Sequence, residues 1–241
     1  MLVALTSPDM LEHFDLPEGF QGTPEVTRTI KTAIATHWEV RFDGTGQGSS
    51  EYIFLVFSGN KHEGTAKFYY ETAKEAFEAL PNQVPEPLAQ GILSSRQHFV
   101  LYRLQVVGHG LFNQVGALRC LKSLHDRTDL KGYGFGNGEN RNEAWVDWFR
   151  GSMGRLLDTL ANVPGFAEEI DQLKPMVIDE LIPKLLDPAK NNGVQFKSGL
   201  VHESIKFDQV KADPNDAEKP IFNDFSYFYG PEECKSLSSS D

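Results

Sequence analysis

A glycine-rich segment, Gly44-Thr45-Gly46-Gln47-Gly48, contains residue types that could bind phosphate. Such a segment binds phosphate through its backbone N–H groups when it leads directly into a helix. The residues that follow, EYIFLVF, are instead typical of a strand, and no Lys-Ser or Lys-Thr pair comes directly after the glycines. The pattern therefore favours a hairpin turn over a phosphate-binding loop.

His202 has a side chain that could act as a general base or as a metal ligand. A metal site needs further ligands, and no second histidine or cysteine stands at ligand spacing from it. A structural histidine, hydrogen-bonded to the backbone, is the simpler interpretation. The acidic run from Asp213 to Glu218 lacks the spacing of a calcium-binding loop, so we expect a solvated turn there.

The aromatic residues Trp145, Trp148 and Phe149 could stack on a sugar or a base. Their spacing is that of one face of an amphipathic helix. Packing in a hydrophobic core is the more common role of aromatic residues at this spacing, and it is the interpretation that we favour.

Charge and cysteine content restrict the class of protein. The chain of 241 residues carries a formal net charge of −11, which argues against nucleic acid or an anionic membrane as the main partner. Only Cys120 and Cys234 are present, which are too few for a disulfide framework. This cysteine content fits a protein of a reducing compartment. The first residues have no basic segment, and no apolar run reaches about 20 residues. We therefore expect a cytoplasmic protein without a signal peptide or transmembrane helix.

The first half of the sequence is predicted to be rich in β-structure. Two strand-like runs, WEVRF and EYIFLVF, flank the glycine-rich turn, and a further strand is predicted from His98 to Val107. Apolar residues at helical spacing predict a helix from Thr65 to Leu80, and the proline-containing VPEPLAQG that follows is interpreted as a connector. We place the boundary of this β-rich lobe at residue 106.

The second half, residues 107–241, is predicted to be mainly helical. Leu111, Val115, Leu118, Leu121 and Leu124 recur at helical intervals, and two longer helical stretches follow at residues 143–162 and 165–187. Pro175 and Pro183 should kink or interrupt the second of these. Two strand-like pieces, GLVHESIKF and KPIFNDF, are then separated by a turn and followed by a polar tail that we expect to be disordered.

Three segments of this chain resemble the fructosamine or ketosamine 3-kinases, also called protein-ribulosamine 3-kinases, especially fungal members, over roughly residues 38–233. These segments are ETAKEAFEALPNQVPEPLAQG, LHDRTDLKGYGFGNGENRNEAWVDWFRGSM and GLVHESIKFDQVKADPNDAEKPIFNDFSYFYGPEE. The resemblance implies a two-lobed α+β fold of the protein-kinase type, with a helical lobe that is short for the family. It also implies a transferase that uses ATP and Mg²⁺ to phosphorylate a sugar hydroxyl on a glycated lysine.

The resemblance also assigns positions to the catalytic loop. The His-Gly-Asp of the family corresponds to His202-Glu203-Ser204, so Ser204 stands where the family has its catalytic aspartate. A serine hydroxyl cannot accept the proton of the attacking hydroxyl as a carboxylate does. Gln209 stands where the family has a metal-binding asparagine. Asp224 stands at the metal-binding aspartate, unless a register shifted by one residue places Asn223 there.

Two further positions lie in the β-rich half. Leu55 stands where the resemblance places the phosphate-binding lysine, and the shifted register supplies no lysine either. Glu71 stands at the family's helix glutamate, which loses its ion-pair partner when that lysine is missing. The sequence thus predicts that ATP and Mg²⁺ are bound poorly here.

Three functions remain open at this stage. The first is a degenerate kinase-like protein, or pseudokinase, that is weak or inactive in phosphoryl transfer. The second is an active ATP-dependent ketosamine 3-kinase, with nucleotide and a glycated protein as partners. The third is an interaction module that binds another protein and no nucleotide.

Overall fold

A computed structural model describes residues 24–32, 35–43, 49–58, 62–108, 112–126, 133, 144–193, 198–202, 210–216, 218–223 and 227–231. The chain divides into two compact units, one of residues 1–124 and 202–227 and the other of residues 125–201 and 228–241. The predicted division into lobes, at residues 106 and 107, does not coincide with these two units, and it stays a prediction.

The first unit contains a five-stranded antiparallel sheet with the strand order β1-β2-β3-β5-β4. The strands β2 and β3 correspond to the predicted runs WEVRF and EYIFLVF, and β5 to the first part of the predicted third strand. Strand β1 was not predicted. The bounds are β1 Glu25–Lys31, β2 Ala35–Asp43, β3 Ser49–Phe57, β4 Glu86–Ile92 and β5 His98–Arg103.

Strand β3 lies at the centre of this sheet and is buried on both faces. Every residue from Tyr52 to Phe57 is buried, which explains why the sequence shows a continuous apolar run here instead of alternation. One face contributes to a core of aromatic and branched residues, in which the rings of Phe54 and Phe99 stack with centroids 5.2 Å apart. The buried members of this core are Val40, Phe42, Tyr52, Phe54, Val56, Leu93, Phe99 and Leu101.

The other face of the sheet packs against helix α1, Glu63–Ala79, which confirms the predicted helix with bounds shifted by one or two residues. The ring of Phe57 on β3 lies 5.8 Å from that of Tyr69 on α1. Small side chains let the helix approach the strands closely. The buried residues of α1 are Ala66, Phe68, Thr72, Ala73 and Ala76.

The prediction of a connector at VPEPLAQG was wrong, because these residues form strand β4 from Glu86 to Ile92. Proline cannot donate a ladder hydrogen bond, and it is tolerated on an edge strand, where one side of the backbone has no neighbouring strand. Strand β4 is such an edge strand. A register irregularity between Pro87 and Ala89 accommodates the proline in its pairing with β5.

A short hairpin formed by β7, Val210–Ala212, and β8, Pro220–Phe222, belongs to the same unit as the sheet. Strand β8 lies in the predicted strand-like piece KPIFNDF and follows the predicted turn, whereas β7 was not predicted. The backbone N–H of Phe222 donates to the carbonyl of Gln83 at 2.7 Å, and the Gln83 side-chain amide donates to the carbonyl of Pro220 at 3.0 Å. Strand β8 is thereby fixed to the turn that follows α1.

The side chain of Asn223, directly after β8, holds a second contact with the sheet. Its Oδ1 accepts from the backbone N–H of Gln105 at 3.0 Å, and its Nδ2 donates to the carbonyl of Gln105 at 2.9 Å. One amide thus satisfies both backbone groups of Gln105 as a neighbouring strand would do.

Helix α2, Gln114–His125, confirms a helix at the predicted place. Asn113 caps it, since its Oδ1 accepts from the N–H of Gly116 at 3.0 Å. The predicted apolar face is buried only in part: Leu124 is buried, Val115 and Leu118 are exposed, and the other buried residue is Ala117. Gly116 explains part of this, because a Cβ at that position would lie 2.7 Å from the carbonyl oxygen of Glu218.

The second unit contains helices α3, Trp145–Ala161, α4, Ala167–Pro175, and α5, Ile182–Leu186, with strands β6, Ser198–His202, and β9, Tyr227–Pro231, which pair. The two predicted long helices are confirmed. Between Pro175 and Pro183 the chain stays helical but widens to a π-helix, Met176–Leu181, since each proline lacks an N–H donor for a regular helix. Within the described residues, no helix has the length and apolarity required to cross a membrane.

Replacing Asn223 with Leu should lower the free energy of unfolding by about 2–3 kcal/mol, because two backbone groups of Gln105 lose their partner. Asn223→Asp should also destabilise the protein, since its carboxylate still accepts from the N–H of Gln105 but places a second acceptor against the Gln105 carbonyl. Urea denaturation measures both. Asn162→Leu, at an exposed helix end, serves as control and should change stability by less than about 0.5 kcal/mol. Equal losses in all three variants would contradict the role of Asn223.

Replacing Gly199 with Ala should destabilise the protein by about 1–3 kcal/mol, because a Cβ there would lie 2.5 Å from the backbone oxygen of His125. Gly154→Ala is the matched control. Nothing lies within 4 Å of a Cβ at Gly154 in α3, so that change should stabilise the helix by about 0.5–1 kcal/mol. Thermal unfolding of both variants checks the opposite signs, and a neutral Gly199→Ala would show that β6 does not pack so closely.

Candidate functional site

Leu55 lies in the middle of the central strand β3, with 1% of its surface exposed. Its cross-strand neighbours are His37 on β2 and Val100 on β5. Residues two apart in a strand point to the same face, so Leu55 shares the face of Phe57, which contacts helix α1. A lysine at position 55 would therefore point toward helix α1. The side chain at this position is instead apolar.

Two arginines occupy the same face nearer the edge of the sheet, according to the strand register. Arg28 Nη1 lies 3.3 Å from Glu39 Oε1, and Arg41 Nη2 lies 2.9 Å from Glu51 Oε1. Each cation therefore has an adjacent carboxylate that cancels most of its field. Arg41 lies opposite Glu51, four residues before Leu55 on β3, and Arg28 lies two strands away on β1, so neither arginine takes the place of a lysine at position 55.

Glu71 is half-buried on helix α1, and its partner is another residue of the same helix. Lys67 Nζ lies 3.7 Å from Glu71 Oε1, one helical turn away. This arrangement agrees with the expectation that Glu71 has no lysine partner on the strand. Lys67 supplies a cation to the carboxylate instead. A pair of this kind on an exposed helix surface contributes about 0.3–0.5 kcal/mol.

The segment after β5, residues 104–108, has its backbone groups bonded within the unit. Leu104 N–H donates to the carbonyl of Glu51 at 2.8 Å, and Gly108 N–H donates to that of Ala212 at 2.7 Å. Both backbone groups of Gln105 are taken by the Asn223 amide. Backbone N–H and C=O groups commonly fix cofactors. To bind a ligand, the backbone groups of Leu104, Gln105 and Gly108 would first have to break these hydrogen bonds.

The catalytic-loop positions lie mostly outside the described residues. Ser204, Gln209 and Asp224 are not among them, and their assignments stay predictions. His202 is described as the last residue of strand β6. Asn223 was the alternative to Asp224 at the metal position. The amide of Asn223 is hydrogen-bonded to the backbone of Gln105, and both assignments of the metal position stay predictions.

The aromatic residues of helix α3 pack on one another. The ring of Trp145 lies 4.7 Å from that of Trp148 and 5.7 Å from that of Phe149. Tyr133, which the sequence did not single out, adds a third contact at 5.8 Å and is buried. Burial raises the pKa of the Tyr133 hydroxyl. Trp145, Trp148 and Phe149 are half-buried, so the contacts show that these rings pack on one another, and the choice of core packing over a ligand-stacking surface stays a prediction.

Gln83 and Cys120 form a polar contact that the sequence did not indicate. The Gln83 Nε2 donates to the Cys120 Sγ at 3.0 Å and to the carbonyl of Pro220. Burial raises the pKa of the Cys120 thiol, although the Gln83 hydrogen bond and the charge of Lys219 act in the opposite direction. The thiol is therefore neutral near pH 7 and suits a structural role. Among the described residues, no three His, Cys, Asp or Glu side chains converge to hold a metal ion.

Comparison with known proteins gives matches among solved structures. Neither a protein-family model nor a curated protein sequence matches the chain. A candidate fructosamine-3-kinase from Haemophilus somnus 129PT matches over 92% of this chain and 75% of its own, with 13% identity and a TM-score of 0.52. The aminoglycoside phosphotransferase APH(4)-Ia matches over 86% of this chain and 69% of its own, with 15% identity and a TM-score of 0.51.

A thermostable mutant of APH(4)-Ia, in ternary complex with AMP-PNP and hygromycin B, matches with 16% identity and a TM-score of 0.47 over the same shares of the two chains. At such identities a likeness concerns the fold alone. The order of a five-stranded sheet with one helix, followed by a helical part, agrees with the two matches above a TM-score of 0.5. This chain therefore has an α+β fold of the kinase-like phosphotransferase type.

Proposed function

We propose that this chain is a degenerate relative of the fructosamine and ketosamine 3-kinases, a pseudokinase that transfers phosphate weakly or not at all. The observation that carries the proposal is Leu55, an apolar residue buried in the central strand where the chemistry needs a cation. The sequence adds Ser204 at the position of the proton-accepting aspartate. The fold supports the family, and these two residues support the loss of activity.

The charge argument is the stronger of the two. Phosphoryl transfer depends on positive groups that neutralise the phosphates and on the positioning of the attacking hydroxyl. If only the proton acceptor were missing, positioning and electrostatic stabilisation could still support slow transfer. Position 55 holds an apolar residue, and the two arginines of the same face lie elsewhere on the sheet, so these strands lack the cation where the resemblance places it. Loss of both contributions makes transfer negligible.

A second candidate is an interaction module that binds no nucleotide and acts in the cytoplasm through a protein partner. The hydrogen bonds of Gln105 favour it, because the Asn223 amide occupies backbone groups of the segment after β5 that would otherwise be available to a ligand. The two candidates differ in nucleotide binding: a pseudokinase that retains ATP and Mg²⁺ is stabilised by them, and an interaction module is not.

The intact chain, incubated with ATP, Mg²⁺ and a ribulosamine-modified peptide, should form no ADP above the background without substrate. The double variant Leu55→Lys and Ser204→Asp should show measurable transfer if the missing cation and proton acceptor are the main defects. Coupled ADP detection checks both, with Leu55→Met and Ser204→Ala as the matched inactive control. Turnover by the unchanged chain would overturn the proposal. Thermal unfolding of the same sample with ATP and Mg²⁺ separates the two candidates.

Leu55→Lys alone should lower the free energy of unfolding by about 3 kcal/mol or more, because an ammonium group is buried without a partner. Leu55→Met, which keeps volume and apolarity, should cost less than about 1.5 kcal/mol. The loss in Leu55→Lys should shrink as the pH rises toward about 10.4, since the neutral amine is easier to bury.

ATP with Mg²⁺ should raise the melting temperature of Leu55→Lys more than that of Leu55→Met, since only the lysine gains a phosphate partner. Equal shifts in the two variants, measured by differential scanning fluorimetry, would show that position 55 does not face the phosphates.

A further inference from the structure

The helical hairpin of the second unit exposes a row of apolar side chains that its own packing does not use. Ile170 and Ile182 are buried, and they supply the inward contacts of the segment from α4 to α5. On the outward side Met176 and Leu185 are 57% and 58% exposed. Isolated exposed apolar residues are ordinary, but an aligned set indicates an interaction surface. We call Leu173, Met176, Leu181 and Leu185 the outer row.

Three members of the outer row line a shallow groove of about 280 Å³, and Leu185 lies outside its lining. The lining consists of Leu173, Met176, Val177, Glu180, Leu181 and Lys184. The spacing of the apolar members corresponds to successive helical turns, which is the pattern of a helix that packs against another helix. Two charged residues, Glu180 and Lys184, lie in the same lining and are both exposed. Among the described residues neither has an ion-pair partner.

The order of these two charges along the helix indicates which partner fits the groove. They are opposite in sign, four residues apart, and close to Leu181 in the middle of the outer row. If a second copy of the helix lies antiparallel with a two-fold axis near Leu181, each Leu181 meets its symmetry mate and Met176 of one copy meets Leu185 of the other. Glu180 of each copy then lies beside Lys184 of the other. Such a surface is self-complementary, as a two-fold interface requires.

We propose that the outer row is the interface of a symmetric homodimer, in which the helical hairpins of two copies pack antiparallel around Leu181. The apolar residues form the core of the interface, and the two exchanged Glu180 and Lys184 contacts fix its orientation. The inference is independent of nucleotide binding and of phosphoryl transfer.

Sedimentation equilibrium of the intact chain should show a monomer–dimer equilibrium at micromolar concentration. Leu181→Glu should give monomers over the same range, because symmetry brings two carboxylates together at the axis. Ile92→Glu is the matched control: Ile92 is 62% exposed on edge strand β4 and outside the interface, so this variant should dimerise as the unchanged chain does. Circular dichroism confirms that each variant is folded.

The charge pair gives a test that does not depend on the apolar substitutions. Glu180→Lys and Lys184→Glu, each alone, place like charges across the axis and should weaken self-association at least about tenfold. An equimolar mixture of the two variants should form heterodimers, since the two lysines of one chain then face the two glutamates of the other. A charge effect within one helix cannot produce this rescue, because each chain keeps its own like-charged pair.

The proposal is overturned if the unchanged chain stays monomeric at about 100 µM, far above the dissociation constant of a micromolar interface, in which case a different partner or chain segment covers the groove. It is also overturned if dimers form but Leu181→Glu leaves them intact, or if the mixed variants show no heterodimer. Native mass spectrometry of the mixture, with one variant isotope-labelled, reads out the heterodimer directly.

Discussion

Burial of strand β3 on both faces constrains most of what the first unit can do. Its neighbours β2 and β5 saturate its backbone hydrogen bonds, one face enters the aromatic core, and the other lies against helix α1. A charged side chain at such a position must be paired and hydrogen-bonded to be tolerated. In the family to which we propose that this chain is related, the phosphate-binding lysine lies on this strand. Under that proposal, the apolar residue at position 55 serves the packing of the sheet at the expense of phosphate binding.

The irregular backbone near β8 follows the same rule that buried polar groups need a hydrogen-bond partner. The segment after β5 and the turn after α1 do not pair with a neighbouring strand along their length, so side-chain amides supply the missing partners. Gln83 and Asn223 each bond to backbone groups that are remote in sequence, and together they attach the β7–β8 hairpin to the sheet. The residue next to Asp224 is thereby fixed, while the polar groups used for this purpose become less accessible to a ligand.

The second unit shows a different relation between packing and function. Its helices bury a small inward set of residues, and the outer row remains in contact with solvent. The π-helical segment lies between two prolines and carries part of this row. A surface of this composition, with Glu180 and Lys184 on either side of Leu181 along the helix, is the basis of the proposed association with a second copy.

The sequence by itself determined the elements whose signal is local. The apolar run of β3, the helical periodicity of α1 and α3, and the turn between β7 and β8 were predicted because each depends on residues close in the chain. The absence of a lysine in β3 and of an aspartate at position 204 is likewise a property of the sequence alone. The resemblance of three segments to the ketosamine 3-kinases, together with the order of these elements, predicted a kinase-like fold, and the two missing residues put its activity in question.

The tertiary structure decided the contacts between residues that are far apart in the chain. The segment with Pro85 and Pro87 became a strand because the edge of the sheet was available to it, and proline propensity could not reveal this. Asn223 bonds to Gln105 across 118 positions, and no local pattern marks such a pair. The buried face of α2 was also set by the close approach of Glu218 to Gly116. Local periodicity records which residues can be buried, whereas packing decides which of them are.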